Sequence, residues 1–282
     1  MASTCFDVQV SDHIAHVILN RPDELNSMNA AFWGELPAII NDLDRGARAR
    51  VIVLSSTGRH FTAGMDLSVF SGGGGGLLGG EGVKELGRQR AVLWSTVQHL
   101  QDSFTALERC RVPVLAAVQG GCIGGGIDMI CAADARYASA DAFFCVQEIN
   151  IGMTADVGTL QRLPKLIPEG IAREWAYTGD RIPAARAAEV GFVNQVFEDH
   201  AALLDGVLEI AGRIASRSPL AIWGTKEMLN YSRDHSVADG LRHIAGWQTG
   251  MFQPADMMES FAAKAEGRAP NFDELPPLPE PW

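Results

Sequence analysis

Three carboxylates are the candidate acids of a largely apolar, glycine-rich stretch of the sequence: Asp128, Glu148 and Asp156. The glycines that precede or flank the first of them are Gly120, Gly121, Gly124, Gly125 and Gly126. Glycine lets a backbone approach a bound molecule closely, and the first N–H groups of a helix have no partner within it. Such N–H groups stabilise an anion, while carboxylates exchange protons. This combination is what proton transfer next to a carbonyl group requires.

The glycines are predicted to connect a buried strand to a short helix. Residues 112–118 are apolar and bounded by Pro113 and Gly120, which predicts the strand, and the helix is predicted over 127–133. Asp128 then lies in the first turn of a helix, where the helix dipole alone favours a carboxylate. A second helix is predicted over 155–163 with Thr154 as its cap, so Asp156 has the same purely structural alternative.

Glu148 follows an apolar strand, and a solvated strand end is the ordinary explanation for such a residue. Another candidate region is the loop of residues 58–67, which follows a predicted strand over 50–54. Small residues directly after a buried strand are a common place for functional backbone, although a plain turn is the alternative.

Strands and helices are both predicted in the rest of the chain, before and after these candidate residues. A hairpin is predicted over 6–10 and 16–19, a helix capped by Asn29 runs to about Leu43, and another helix covers about 83–109. The run 71–80, SGGGGGLLGG, is of low complexity and typical of a mobile segment rather than of a phosphate-binding loop. The later predicted elements are helices at 171–177 and 184–188, a strand at 191–197, and helices at 201–216, 219–230 and 236–265.

Strands alternate with helices up to about residue 200, and only helices follow. This shift predicts an α/β catalytic core over residues 1–200 and a helical C-terminal region over 201–282. The last part of that region, from Pro270 onward, has five prolines and is predicted either to wrap a surface or to be disordered.

The composition is that of a soluble globular protein and excludes several functions. A formal charge of −11 disfavours nucleic acid and anionic membranes as partners. The five cysteines lack metal-binding spacing and are expected as buried thiols, and His13 and His16 fall on opposite faces of a strand, so no metal site is expected. The first residues fit neither a secretory signal nor a transit peptide, which favours a cytoplasmic protein.

Four segments resemble successive signatures of the crotonase (enoyl-CoA hydratase/isomerase) superfamily, in the order of that family. They are NRPDELNSMN, HFTAGMDL, AAVQGGCIGGGIDMICAADARYASADAFF and TGDRIPAARAAEVGFVNQV. The resemblance implies a spiral of strand-strand-helix repeats that forms two packed sheets. It also implies a helical C-terminal region that trimerises, a homo-trimer or homo-hexamer, and an acyl-CoA substrate with no separate cofactor.

Two more segments, CVQEINIGMTADVGTLQRLP and SPLAIWGTKEMLNYSRDHSV, are similar to delta-3,5-delta-2,4-dienoyl-CoA isomerases. This similarity implies an oxyanion hole formed by the N–H groups of Met65 and Gly125. It implies that Asp156 takes a proton from C2 and that Glu148 donates one at C6, with Asp128 as a third acid. The implied substrate-binding residues are Thr62, Ala63, Gly64, Met65, Asp66 and Gly125.

Asp156 discriminates between the activities found in this family, because ordinary hydratases resemble this chain at Asp128 and Glu148 but carry an apolar or small residue at the third position. Two alternatives stay open: enoyl-CoA hydration, and a catalytically silent acyl-CoA-binding protein. The chain departs from the isomerase pattern at Asn150, where an acid is expected, and in the oligoglycine run, which lies where acyl-chain specificity is set.

Overall fold

The computed structural model describes residues 3–66, 69 and 85–279. Its strands are β1 Phe6–Ser11, β2 Ile14–Leu19, β3 Val51–Ser56, β4 Val114–Val118, β5 Gly121–Ile123, β6 Ala135–Ser139, β7 Phe143–Cys145, β8 Ile182–Pro183 and β9 Gln195–Phe197. They form a six-stranded sheet in the order β1-β2-β3-β4-β6-β9 and a three-stranded sheet in the order β5-β7-β8. The two sheets implied by the resemblance are therefore confirmed.

The six-stranded sheet begins with the predicted hairpin, in which β1 and β2 are antiparallel, and continues with parallel strands from β2 to β9. Every residue of β3 is buried. Ile52 and Leu54 face one apolar cluster while Val51 and Val53 face another, because successive side chains of a strand point to opposite sides. A parallel sheet covered on both faces explains the unbroken apolar runs of β3 and β4.

The helices are α1 Ala30–Arg45, α2 Leu86–Arg109, α3 Gly125–Cys131, α4 Thr159–Leu166, α5 Glu169–Thr178, α6 Ala184–Glu189, α7 His200–Ala215, α8 Pro219–Asp234, α9 Val237–Met251 and α10 Pro254–Glu266. The predicted cap of α1 is confirmed, since Oδ1 of Asn29 accepts a hydrogen bond from the Phe32 N–H at 3.1 Å. The run 71–80 and the predicted first residues of α2 lie outside the described residues. No helix within the described ranges is long and apolar enough to span a membrane.

The helix predicted over 155–163 was placed too early. α4 begins at Thr159. The residue before it, Gly158, has a φ of +135°, a backbone conformation that residues other than glycine rarely adopt. The Thr159 N–H donates to Oδ1 of Asp128 at 2.6 Å, and this contact between distant segments fixes the helix start. Asp156 therefore lies before the helix and not in its first turn.

The single helix predicted over 236–265 was also wrong, because the structure has two helices there. α9 ends at Met251, and α10 begins with Pro254 after Phe252 and Gln253. Proline has no N–H to donate and its ring clashes with the preceding helical turn, so it begins a helix more readily than it continues one.

The C-terminal helices differ in how they contact the sheets. On α7, Leu203, Val207, Ala211 and Ala215 pack against the second face of the six-stranded sheet. The later helices expose apolar side chains, including Leu229, Leu241 and Phe261. The tail after α10 was predicted either to wrap a surface or to be disordered. The described part of it packs on the surface, since Phe272 and Leu275 are buried. The division of the chain at residue 200 stays a prediction.

Candidate active site

A cavity of about 590 Å³ is lined by residues of α2, α3 and β5 and by the neighbouring loops, and all three predicted acids line it. Asp128, Glu148 and Asp156 thus share one space although 28 positions separate the first from the last. Of the predicted binding residues, Ala63, Gly64, Met65, Asp66 and Gly125 also line the cavity. Thr62 does not, because it is fully buried behind this loop.

The glycines make one wall of the cavity out of backbone. β4 leads through Gly120, whose φ is +54°, into β5, and Gly124 with a φ of +53° turns the chain into α3. A Cβ on Gly120 would lie 2.1 Å from the Arg59 carbonyl oxygen, so this position admits no side chain. Close packing against the Arg59 backbone thus requires glycine at Gly120, in the turn between β4 and β5, while the predicted close approach of these glycines to a bound molecule stays a prediction.

Two backbone N–H groups lie next to each other on this wall. An added Cβ on Gly64 would lie 3.4 Å from the Gly125 nitrogen, and one on Gly125 would lie 3.9 Å from the Met65 nitrogen. Within the described part of the chain, neither the Gly125 nor the Met65 N–H has a hydrogen-bond partner. Two adjacent, unpaired donors on fixed backbone can bind one oxygen atom of a ligand.

Hydrogen bonds to other segments fix the loop that carries Met65. The Met28 N–H donates to the Gly64 carbonyl at 2.8 Å, and the Asp66 N–H donates to the Met28 carbonyl at 3.1 Å. Thr62 accepts from the Gly64 N–H at 3.1 Å and donates to the Asn26 carbonyl at 2.7 Å. These bonds pair the backbone groups of Gly64 and the Asp66 N–H, and they leave the Met65 N–H for a ligand. Thr62 therefore supports the loop without lining the cavity.

Asp128 is the most buried of the three acids, with an exposed fraction of 1 %. Its carboxylate accepts from the Thr159 N–H, so the residue also fixes the start of α4. Burial raises the pKa of Asp128 to about 6, because the charged form loses hydration. Asp128 is therefore placed both to line the cavity and to hold the segment that ends in Thr159.

Glu148 lies in a 3₁₀ turn, Gln147–Ile151, directly after β7. Its Oε1 lies 3.1 Å from the position of a Cβ on Gly124, beside the start of α3, while its Oε2 is buried without a hydrogen-bond partner among the described residues. Burial, with a further contribution from the Asp128 charge, raises the pKa of Glu148 to about 7. At neutral pH a large fraction of Glu148 is protonated and available as an acid.

Asp156 lies between the buried residues Ala155 and Val157, in the irregular segment before α4. Burial raises the pKa of Asp156 above its ordinary value. Its backbone carbonyl accepts a hydrogen bond from Nε2 of Gln101 on α2 at 2.7 Å. The sequence carries no signal for this contact, because Gln101 and Asp156 are 55 positions apart.

The rest of the cavity wall is mainly apolar. Besides Met65, the larger apolar side chains that line it are Leu25, Trp33, Leu100, Ile123, Ile151, Met153 and Val157. Arg181 also lines it and was not predicted; its guanidinium lies 4.7 Å from the ring centroid of Phe143. Among the described residues, no group of three or more His, Cys, Asp or Glu side chains is arranged to hold a metal ion.

Asn150 does not contact Glu148 directly. Its Nδ2 donates to the Gly179 carbonyl at 2.8 Å and to Oε1 of Gln147 at 3.2 Å. The amide at this position therefore anchors the 3₁₀ turn to the chain that follows α5.

Comparison with known proteins agrees with this geometry. Residues 9–275 match the family model described as enoyl-CoA hydratase/isomerase. The chain belongs to the enoyl-CoA hydratase/isomerase family. A mitochondrial Delta(3,5)-Delta(2,4)-dienoyl-CoA isomerase of Homo sapiens is 43% identical over 91% of this chain and 77% of the relative.

A peroxisomal enzyme with the same name from Arabidopsis thaliana is 40% identical over 93% of each chain. Among solved structures, an enoyl-CoA hydratase from Bacillus anthracis superposes with a TM-score of 0.84 at 30% identity, covering 95% of this chain and 99% of that one. This family member thus shares its fold with hydratases, while its sequence is more similar to these two isomerases.

Proposed function

We propose that this member of the enoyl-CoA hydratase/isomerase family converts 3,5-dienoyl-CoA to 2,4-dienoyl-CoA. The observation that carries the proposal is the position of Asp156, whose carboxylate shares the cavity with Glu148 and Asp128. The similarity to named dienoyl-CoA isomerases, at 40–43% identity over most of the chain, supports it.

The two free N–H groups would hold the thioester oxygen. Loss of a proton from C2 builds negative charge on that oxygen, and the Met65 and Gly125 donors already lie beside each other to receive it. Removal of one such donor in comparable enzymes costs about 3 kcal/mol of transition-state stabilisation. The apolar wall that includes Leu100 and Met153 would surround the acyl chain.

The acids would then move one proton each. Asp156 removes a proton from C2, and the electron pair enters the conjugated system as a trienolate, with double bonds at C1–C2, C3–C4 and C5–C6 and the negative charge on the thioester oxygen. Glu148 donates its proton to C6, which leaves double bonds at C2–C3 and C4–C5. Asp156 ends protonated and Glu148 ionised, and exchange with solvent restores both.

The titration of these groups suits their proposed roles. The pKa of Glu148, raised to about 7 by burial, keeps a useful fraction in the acid form at neutral pH. A pKa of Asp156 raised above that of an ordinary aspartate makes this carboxylate a stronger base once it is ionised. The rate should fall at low pH as Asp156 is protonated, and at high pH as Glu148 loses its proton.

The alternative activity is hydration of a 2-enoyl-CoA, because Asp128 and Glu148 alone would suffice to position a water molecule. A catalytically silent acyl-CoA-binding protein is the other alternative. Taking carboxylates out of water without a function is costly, so the buried Asp128 and the half-buried Glu148 and Asp156 around one cavity argue against it.

A direct test supplies the purified protein with a 3,5-dienoyl-CoA and a 2-enoyl-CoA in separate reactions. We expect the absorbance of the 2,4-diene conjugated to the thioester to grow in the first reaction, at a kcat/KM well above that for loss of the alkene in the second. Loss of the 2-enoyl-CoA as the faster reaction would assign the protein to the hydratases, and inactivity with both would favour a silent binder.

We also propose a homo-trimer or a pair of trimers, in the cytoplasm, with acyl-CoA as substrate and no separate cofactor. The exposed apolar side chains of α8 to α10, such as Leu229, Leu241 and Phe261, support an assembly through these helices. Sedimentation at micromolar concentration should give three or six copies, and a monomer would contradict the proposal.

A further inference from the structure

The segment that carries Asp156 has no regular secondary structure, so its position depends on individual contacts. It begins at Met153, whose N–H donates to the Glu148 carbonyl at 2.9 Å, and ends at Thr159, whose N–H donates to Asp128. These two bonds fix the ends of the segment and connect it to the other two acids. Neither of them holds Asp156 itself.

Gln101 supplies the contact at the centre. Its Nε2 donates to the Asp156 carbonyl oxygen at 2.7 Å, and no other described group donates to that oxygen. The donor is half-buried on α2, a helix of 24 residues. The neighbouring residue on this helix, Leu100, lines the cavity.

We infer that Gln101 is a positioning residue that sets the place of the Asp156 carboxylate by holding the backbone of the same residue. The inference rests on the proposed function, in which Asp156 removes the C2 proton. Without the Gln101 bond, no hydrogen bond from another described residue reaches the Asp156 backbone. Its place then depends on the packing of Ala155 and Val157 and on the bonds of Met153 and Thr159, three residues away on each side. A carboxylate that moves with this backbone is then less often in line with the C2 proton.

Gln101→Met tests the inference, because methionine keeps the length of the side chain and removes the donor. We expect kcat to fall about tenfold, since misplacement of a reacting group by about 1 Å can cost roughly a hundredfold in rate. We expect KM to change less than about twofold, because Gln101 does not itself line the cavity. A kcat within about twofold of the wild type would overturn the inference.

The matched control is Thr105→Val, four positions further along α2. The Thr105 hydroxyl accepts from Nη2 of Arg162 at 3.1 Å and donates to the backbone carbonyl of Gln101 at 2.8 Å. This variant therefore loses a bond between α2 and α4 and one bond within α2, but it keeps the bond from the Gln101 side chain to Asp156. Its kcat should stay within about twofold of the wild type. An equal loss of kcat in both variants would mean that only the docking of α2 matters, and would also overturn the inference.

Gln101→Glu adds a readout that a purely structural role would not move. An ionised glutamate cannot donate to the Asp156 carbonyl, whereas a protonated one can. The kcat of this variant relative to the wild type should therefore rise as the pH falls. A ratio that is constant with pH would count against the Gln101 hydrogen bond as the cause.

A double-mutant cycle separates failure of this inference from failure of the proposed function. If Gln101 acts through Asp156, Gln101→Met should change the residual kcat of Asp156→Asn by less than about twofold, because the two effects are not additive. Full activity of Asp156→Asn would overturn the proposed function. An inactive Asp156→Asn beside a fully active Gln101→Met would overturn only the role of Gln101.

Discussion

The two halves of the cavity are built in different ways. The donor half is backbone in close packing, where a Cβ on Gly126 would lie 2.6 Å from Cγ2 of Thr62 and one on Gly125 would lie 2.9 Å from Sδ of Met28. The acid half places Glu148 in a 3₁₀ turn and Asp156 in an irregular segment, each held by a few hydrogen bonds. Packing therefore fixes the donors, while single contacts and local burial set the position and the pKa of the acids.

The largest effect should come from the acid half. Asp156→Asn keeps the shape of the side chain and removes the base, so kcat for 3,5-dienoyl-CoA should fall by about 10²–10⁴. Acyl-CoA affinity, measured by calorimetry with a non-reactive thioester, should change little, because the donors and the apolar wall remain. Near wild-type turnover would assign the base elsewhere and favour hydratase chemistry.

The donor half should respond to the smallest possible side chain. In Gly125→Ala the N–H is kept, but the methyl group meets Met28 Sδ and comes within 3.9 Å of the Met65 nitrogen. We expect kcat/KM to fall by roughly a hundredfold, as for a donor displaced by about 1 Å, with only a modest fall in Tm.

Gly34→Ala is the control for this substitution. Gly34 is exposed on α1 and a Cβ there would meet nothing within 4 Å, so alanine should stabilise the helix by about 1 kcal/mol and leave activity unchanged. If Gly125→Ala were as active as Gly34→Ala, the glycines of this turn would serve packing alone, and the oxyanion would have to bind elsewhere.

The same contrast explains what could be predicted from the sequence. The buried strands, the Asn29 cap and the glycine turn follow from local patterns, because their residue types determine their backbone. The resemblance brought Asp128, Glu148 and Asp156 into one site, and the structure does place them around one cavity. Their roles in catalysis stay predictions.

The failures concern contacts between distant segments. The start of α4 depends on a hydrogen bond from Thr159 to Asp128, which no helical periodicity near residue 155 contains. The bond from Gln101 to Asp156 is equally invisible in the sequence, and so is the place of Arg181 at the cavity. Local patterns thus predicted the glycine turn of the donor half, whereas Met65 and Gly125 as donors and the three acids were implied by the resemblance, and the geometry of the acid half is tertiary.

A smaller effect should show that the acids influence each other. Asp128→Asn can still accept from the Thr159 N–H, so the start of α4 should be kept, but the negative charge is lost. The Asp128 charge helps to raise the pKa of Glu148, so that pKa should fall in the variant. The alkaline limb of the kcat/KM profile against pH should then move to lower pH. An unmoved limb would show that the two carboxylates titrate independently.

The smallest effect should be on stability and should depend on pH. The pKa of Glu148 is raised by burial from an ordinary value of 4.5 to about 7, so the folded protein binds this proton more tightly than the unfolded chain. The free energy of unfolding should therefore lose a contribution as the pH rises from about 4.5 through about 7.

Glu148→Gln removes this dependence because its amide stays neutral. The difference in Tm between Glu148→Gln and the wild type should become more positive from pH 5 to pH 8, by a few degrees. Glu209→Gln, at an exposed position of α7, is the control and should show a constant difference. If Glu148→Gln behaved like this control, Glu148 would be hydrated in the folded protein, and its proposed role as a neutral acid at pH 7 would lose its physical basis.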